Sequence, residues 1–144
     1  MDYSELAVEW LNGMQSLHRV KPQRNINEAM QGEAFVLNYV ASHHDVVLPG
    51  EISQEMDVSS ARIATALNSL EKKGLITRQI DLNDRRKILV GITKEGKEFA
   101  DKHRQKILSV IAKMLELLGE HDAKEYVRIM KKLAEILPAR EELI

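Results

Sequence analysis

Leu6, Trp10, Leu11, Met14, Leu17 and His18 recur at three- and four-residue intervals, which predicts an amphipathic first helix ending before Pro22. The next stretch, "KPQRNIN", is polar and reads as a connector, with Asn27 placed to cap a second helix. The centre of that helix, "AFVLNYVA", is too apolar all round to face water on more than one side, so it should run through the middle of the domain. "HHDVVLPGE" then breaks the helical period with β-branched residues and Pro49-Gly50, as a short strand or an extended link would.

A brief third helix, "EISQEM", points Ile52 and Met56 inward at i,i+4. "DVS" is the turn after it, with Val58 as a buried pin and Ser59 as N-cap of a fourth helix, "SARIATALNSLEKKG". Ile63, Ala66, Leu67 and Leu70 form its inward stripe, and Gly74 is the expected left-handed stop. Its outer face is small and polar: Ser60, Ala61, Arg62, Thr65, Asn68 and Ser69. "LITRQID" and "KILVGIT" read as two strands joined by a turn at Asn83-Asp84.

From Lys94 to Leu118 a long helix carries Phe99, Ala100, His103, Ile107, Val110, Ile111, Met114, Leu117 and Leu118. Gly119 ends it, Asp122 is placed to cap a last helix, and Tyr126, Val127, Ile129, Met130, Leu133, Ile136 and Leu137 continue to Pro138. These two helices carry more apolar surface than the small middle segment can cover. With the first helix they form a prospective association surface.

Composition narrows the class. The 144 residues suit one domain with a real core, and 4% aromatics among abundant aliphatics favour packed helices over a sandwich. No cysteine means no disulfide scaffold, thiol nucleophile or thiolate metal site. The acidic start, "MDYSELAVEW", does not resemble a signal peptide, and no stretch approaches a membrane span, so a cytoplasmic protein is expected. Catalysis finds no support: there is no nucleophile with a His and an acid, no Gly-rich phosphate loop and no isolated carboxylate pair.

The net charge of −1 hides its distribution. Between Ser59 and Lys94 eight basic residues face three acidic ones, a surplus of five, so the remainder of the chain carries six more negative charges than positive. Positive charge concentrated on one segment is the footprint of an anionic partner. Its densest point is Arg85-Arg86-Lys87 at the hairpin tip.

A short helix, a tight turn, a second helix with a polar outer face and a hairpin with a basic tip make the winged helix-turn-helix plan. The second helix fits a major groove about 12 Å wide, and the hairpin can place an arginine in the minor groove. The fold class expected is mainly α with a small β-hairpin wing, flanked by N- and C-terminal dimerisation helices. In residue terms this is a single domain over 1–144, with a DNA-binding lobe at 46–96 and a helical dimerisation region at 1–20 and 97–144.

"DLNDRRKILVGITKEG" resembles the wing signature of the multiple-antibiotic-resistance regulator (MarR) family, an Asp-x-Arg followed by a β-run ending in Leu or Ile, Thr and often Gly. "VSSARIATALNSLEKKGLITR" is similar to that family's recognition helix and the strand after it. The resemblance covers roughly 48–96, and the flanking helices agree in order and length. It implies a homodimer on a pseudo-palindromic double-stranded DNA operator, usually as a repressor. It also implies that Asp84 braces the wing, that Arg86 reads the minor groove and that Arg85 supports it on phosphate. Ser60, Arg62 and Thr65 fall where such proteins touch the major groove. Ala61 and Ala64 stand where relatives often carry Ser or Thr, so no operator sequence follows.

The full DNA-contacting set expected is Ser59, Ser60, Ala61, Arg62, Thr65, Asn68, Lys72, Arg78, Arg85, Arg86 and Lys87. The resemblance further implies release by a small phenolic or aromatic acid, for which Trp10, Met14, His18, Arg19, Tyr39 and Phe99 are the candidate pocket. Such an apolar stripe is also what a core makes. His43-His44 invites a metal reading, but imidazoles at a helix C-terminus suit the dipole and solvent; some members of the resembled family sense zinc through several histidines on the helix after the wing, where only His103 lies, so neither metal nor cofactor is expected. Two alternatives remain: a winged helix used for protein contact, and a metal-gated DNA-binding regulator.

Overall fold

The computed structural model describes residues 1–43 and 45–140; His44 lies outside them. Seven α-helices and one hairpin follow in the order α1 (Ser4–His18), α2 (Lys21–Gln31), α3 (Glu33–Ser42), α4 (Pro49–Met56), α5 (Ser60–Lys72), β1 (Ile76–Ile80), β2 (Ile88–Ile92), α6 (Lys94–Leu118) and α7 (Glu120–Ile136). A 3-10 turn, Leu137–Ala139, follows. The chain forms two compact units, Met1–Ile107 and Leu108–Ile144. The mainly α class with a small antiparallel hairpin agrees with the reading above.

Three local expectations differ from the structure. The polar stretch taken as a connector is helical: Pro22 sits in the first turn of α2, where its missing N–H removes no hydrogen bond, and Ile26 anchors the helix by burial. Asn27 therefore lies inside a helix, where its Oδ1 accepts from Gln23 Nε2 at 3.1 Å. The break comes at Gly32, whose extended backbone ends α2 through its N–H to Glu28 O (2.9 Å) and starts α3 by accepting from Phe35 and Val36. Likewise α7 begins at Gly119, at a φ of 84° that favours glycine, and Asp122 lies in the first turn, where its charge suits the dipole.

The first unit is built around α3. Val36, Leu37 and Val40 meet Ile52 of α4, Ile63, Leu67 and Leu70 of α5, and Leu75, Ile76 and Val90 of the hairpin. Val47 joins the hairpin edge in a two-bond bridge to Val90 (2.9 and 2.8 Å), so the link before α4 adds one rung to the sheet, while Pro49-Gly50, expected to break the helical period, instead opens α4. The strands pair in the register Ile76↔Ile92, Arg78↔Val90 and Ile80↔Ile88, which puts these six residues on one face.

The turns on either side of α5 are tightly closed. Asp57 ends α4 in the left-handed region (φ 53°), a conformation aspartate tolerates better than most residues. Ser53 Oγ donates to Val58 O at 2.6 Å. At the other end Gly74 N–H reaches Glu71 O and Leu75 N–H reaches Leu70 O, both at 3.0 Å, the Schellman pattern that a glycine at φ 73° permits.

In the second unit α7 buries none of its residues, and Tyr126, Val127, Ile129, Met130, Leu133 and Ile136 stand exposed. In the first unit α1 also buries none, with Leu6, Trp10, Leu11 and Met14 exposed. Among the described residues no helix is long and apolar enough to cross a membrane.

Candidate nucleic-acid interface

The outward face of α5 follows from its apolar period: with Ile63, Leu67 and Leu70 buried, Ser60, Ala61, Arg62, Ala64, Thr65 and Asn68 are left exposed. Ser59 caps the helix, its Oγ accepting from Arg62 N–H at 3.3 Å. Thr65 Oγ1 donates back to Ala61 O at 3.0 Å, which fixes its rotamer and leaves its oxygen free to accept. Arg62 sits in the first turn, where the helix dipole opposes a cation. Lys72 is exposed at the last turn, where the dipole favours one.

The wing turn is organised by its two acids. Asp81 Oδ1 accepts from Asn83 N–H at 2.9 Å. Asp84 Oδ1 accepts from both the N–H of Arg86 (3.1 Å) and its Nε (3.3 Å). The Asp81 N–H to Lys87 O and Lys87 N–H to Asp84 O bonds, each 3.0 Å, close the loop. Both carboxylates are thus engaged with the turn, while Arg85, Arg86 and Lys87 project into solvent. The Arg86 side chain is 92% exposed, so its ion pair with Asp84 adds little stability and chiefly orients the guanidinium.

Arg78 and Asn68 behave differently from the rest of the expected set. Arg78 Nη2 donates to Asn68 Oδ1 at 2.6 Å and to Glu71 Oε1 at 3.0 Å, joining β1 to the C-terminal half of α5. The hydrogen bond from Arg78 holds the Glu71 carboxyl below the usual glutamate range. On the other flank of the same helix, Lys73 Nζ meets Glu33 Oε2 at 2.9 Å. Burial works to raise the Glu33 carboxyl, yet hydrogen bonds from Ser69 and Lys73 and the Lys73 charge hold it low.

Sequence reasoning missed Glu71, Glu33 and the junction at the base of the wing. Thr93 Oγ1 donates to Gly74 O (2.7 Å) and accepts from Gly96 N–H (3.0 Å), while Thr93 N–H reaches Leu75 O (3.1 Å). Three elements meet at this one side chain. A Cβ at Gly96 would lie 1.9 Å from Leu75 O, so the start of α6 packs directly on backbone. Thr93 was in view only as part of a signature; the signal for its role is a Thr three residues before a Gly at a helix start, a capping pattern.

The candidate effector residues are only partly gathered. Met14, His18 and Arg19 line an open groove with Gln15, and Trp10, Tyr39 and Phe99 are not among its lining residues. His18 Nδ1 is 3.1 Å from Asn27 Nδ2. Tyr39 stacks on His43 with ring centroids 4.1 Å apart, and burial leads the causes that raise its hydroxyl pKa. Trp10 and Phe99 are exposed. A separate cavity of about 290 Å³ lies between the α2–α3 break and α5, with Gly32, Glu33, Met56, Arg62 and Thr65 in its wall. Among the described residues no cluster of three or more His, Asp or Glu is placed to hold a metal.

Residues 29–87 match the model of the MarR family. The chain is 26% identical over 127 residues to the HTH-type transcriptional regulator YwhA of Bacillus subtilis, covering 88% of each. It is 26% identical over 128 residues to the HTH-type transcriptional repressor MdtR of the same organism, covering 86% of this chain and 82% of MdtR. The crystal structure of Streptococcus pneumoniae FabT in complex with DNA shares the fold, with a TM-score of 0.69 at 22% identity over 97% of this chain and 100% of that one.

Proposed function

We propose that the chain is a winged helix-turn-helix regulator of the MarR family, whose model matches residues 29–87, and that it acts as a sequence-specific, homodimeric repressor on a pseudo-palindromic DNA operator in the cytoplasm. It is a DNA-binding transcriptional regulator, working by binding rather than by turnover. The observation that carries the reading is the pairing of two presented surfaces: the polar face of α5 from Ser59 to Thr65, and a wing whose acids are turned onto its own backbone while three cations face out. The first suits base edges in a major groove, the second phosphates and a minor groove.

A single α5 reads only a few base pairs. Two copies related by a two-fold axis would present two such helices about one DNA turn apart, ~34–36 Å. The exposed apolar faces of α1 and α7 are the surfaces a second copy would cover. Repression draws support from MdtR, a relative named as a transcriptional repressor. For an effector, a small aromatic or phenolic acid, the groove of Met14, His18 and Arg19 offers an apolar wall and a guanidinium.

Selection of binders from a random duplex pool tests the reading. Enrichment of an inverted repeat is expected, with affinity falling steeply as salt rises, by about −0.9 in log K per phosphate neutralised for each unit of log salt. A pool that returns no enriched duplex, or binding indifferent to salt, would remove DNA as the partner.

A further inference from the structure

The Arg78 side chain starts on the sheet face that carries buried Ile76 and Val90, directly across from Val90 in the register. The side chain as a whole is only 24% exposed. Its guanidinium reaches the two polar side chains on the last turns of α5 that face the hairpin, Asn68 and Glu71. One planar, always-charged group thus joins the helix that presents Arg62 and Thr65 to the strand that leads into the Arg86 turn.

We infer that Arg78 is a positioning residue, a strap that fixes the angle of the wing against the recognition helix so that both engage one duplex at the same time. The inference rests on the DNA-binding reading and goes beyond it, because Arg78 was expected to touch DNA itself. A two-stranded hairpin is a marginal structure without support, and β1–β2 beyond Val90 has little: Ile80 and Ile88, next along the same face, are both exposed. The Arg78 guanidinium links this part of the hairpin to α5 through Asn68 and Glu71.

The mechanics are those of two linked contacts. With the strap closed, docking α5 leaves the wing already aimed, and Arg86 enters its groove without a further ordering cost. With the strap open, the wing must be ordered during binding, and Arg86 loses most of its value. Both bonds leave one nitrogen, Nη2, so lysine in place of Arg78 could keep part of the strap, with a shorter reach and without the fixed guanidinium plane.

The test uses the full chain, which has no cysteine, so Asn83→Cys places a single spin label at the wing tip. In the labelled protein without DNA, Arg78→Gln should give a more mobile line shape than the parent, and Arg78→Lys an intermediate one. On an operator selected with the parent protein, Arg78→Gln should weaken binding about tenfold, the worth of roughly one lost groove contact. Arg86→Ala should then cost far less in the Arg78→Gln background than in the parent. An unchanged line shape would overturn the strap. So would full additivity of the two substitutions, the pattern of an independent phosphate contact. If Arg78→Gln does not fold, Glu71→Gln combined with Asn68→Ala opens the same strap from exposed positions and is read in the same ways. Failure of the parent to bind any duplex would remove the DNA reading alone, and the line shape would still decide whether Arg78 holds the wing.

Discussion

The unit from Met1 to Ile107 and the unit from Leu108 onward use the same kinds of apolar residue to opposite ends. In the first, α3, α4, α5 and the hairpin turn their leucines, isoleucines and valines onto one another, and all the buried apolar residues described lie there. In the second, α7 leaves Tyr126, Ile129, Met130, Leu133 and Ile136 in the open. Exposed single leucines are ordinary, but a helix with an apolar stripe and no buried residue is not built for solitude. The contrast separates a part packed on itself from a part whose apolar stripe stays open, the face that the proposed dimer would cover.

The same substitution made in both regions gives the largest test of that difference. Leu67→Ala, in a fully packed site, should lower unfolding stability by about 2–5 kcal/mol through lost burial and a residual cavity. Leu133→Ala, on the open face of α7, should change monomer stability little and instead raise the dimer dissociation constant, and Leu133→Glu should abolish the dimer. Thermal melts and sedimentation equilibrium on the two proteins distinguish these outcomes. Equal loss of melting temperature from both substitutions at a concentration where the parent is monomeric would erase the distinction.

Gly96→Ala probes how closely the first unit is built where the wing meets α6. The added methyl would fall on Leu75 O, and backbone cannot rotate away as a side chain could. A loss of about 1–3 kcal/mol is expected from overpacking, read as a shifted denaturant midpoint. Thr93 hydrogen bonds depend on the same approach, so the hairpin amides nearest this junction should lose exchange protection first.

How much of this was legible in the chain depends on the range of the forces involved. From α4 to β2, local signals agree: Ser59 and Gly74 mark helix ends, the stripe of Ile63, Leu67 and Leu70 marks a face, and Asn83-Asp84 marks a turn. α2 was read as a connector because only Ile26 interrupts "KPQRNIN", and its helicity draws on tertiary burial of that one residue. A glycine inside a helical pattern has no unique reading, so the break at Gly32 was invisible. The Arg78–Asn68–Glu71 link joins residues seven and ten apart across a turn, and no periodicity reports such a bond. For the same reason a stripe indicates which face is apolar but not which residues share a groove, and Trp10, Tyr39 and Phe99 do not join Met14, His18 and Arg19.

Arg86→Ala moves the contrast from packing to presentation. The side chain is almost fully exposed and its pair with Asp84 is screened, so melting temperature should be unchanged. Operator affinity should fall by about 1–3 kcal/mol, with loss of preference at the base pairs under the wing. Asp84→Ala should give a smaller loss through the freed turn, since the Arg86 N–H and Nε lose their shared acceptor. Retained affinity in Arg86→Ala would move the groove contact to Arg85 or Lys87.

The smallest effect expected is on acid sensitivity, and it separates interactions that fasten α5 from the hydrophobic core beneath it. Glu71 and Glu33 are both held below the ordinary glutamate value, so the folded state binds these protons less readily than the unfolded chain. Their contribution is fully present above about pH 4.5, the unfolded value, and is lost as pH falls through the lower folded values. Because Glu71 lies at the surface, where solvent screens the pair, the change should be small. Melting temperature followed downward from pH 6 should therefore fall less steeply in Glu71→Gln than in the parent, and less steeply again when Glu33→Gln is added. Identical slopes in all three proteins would mean that the two ion pairs hold α5 no better than solvent does, leaving its seat to Ile63, Leu67 and Leu70 alone.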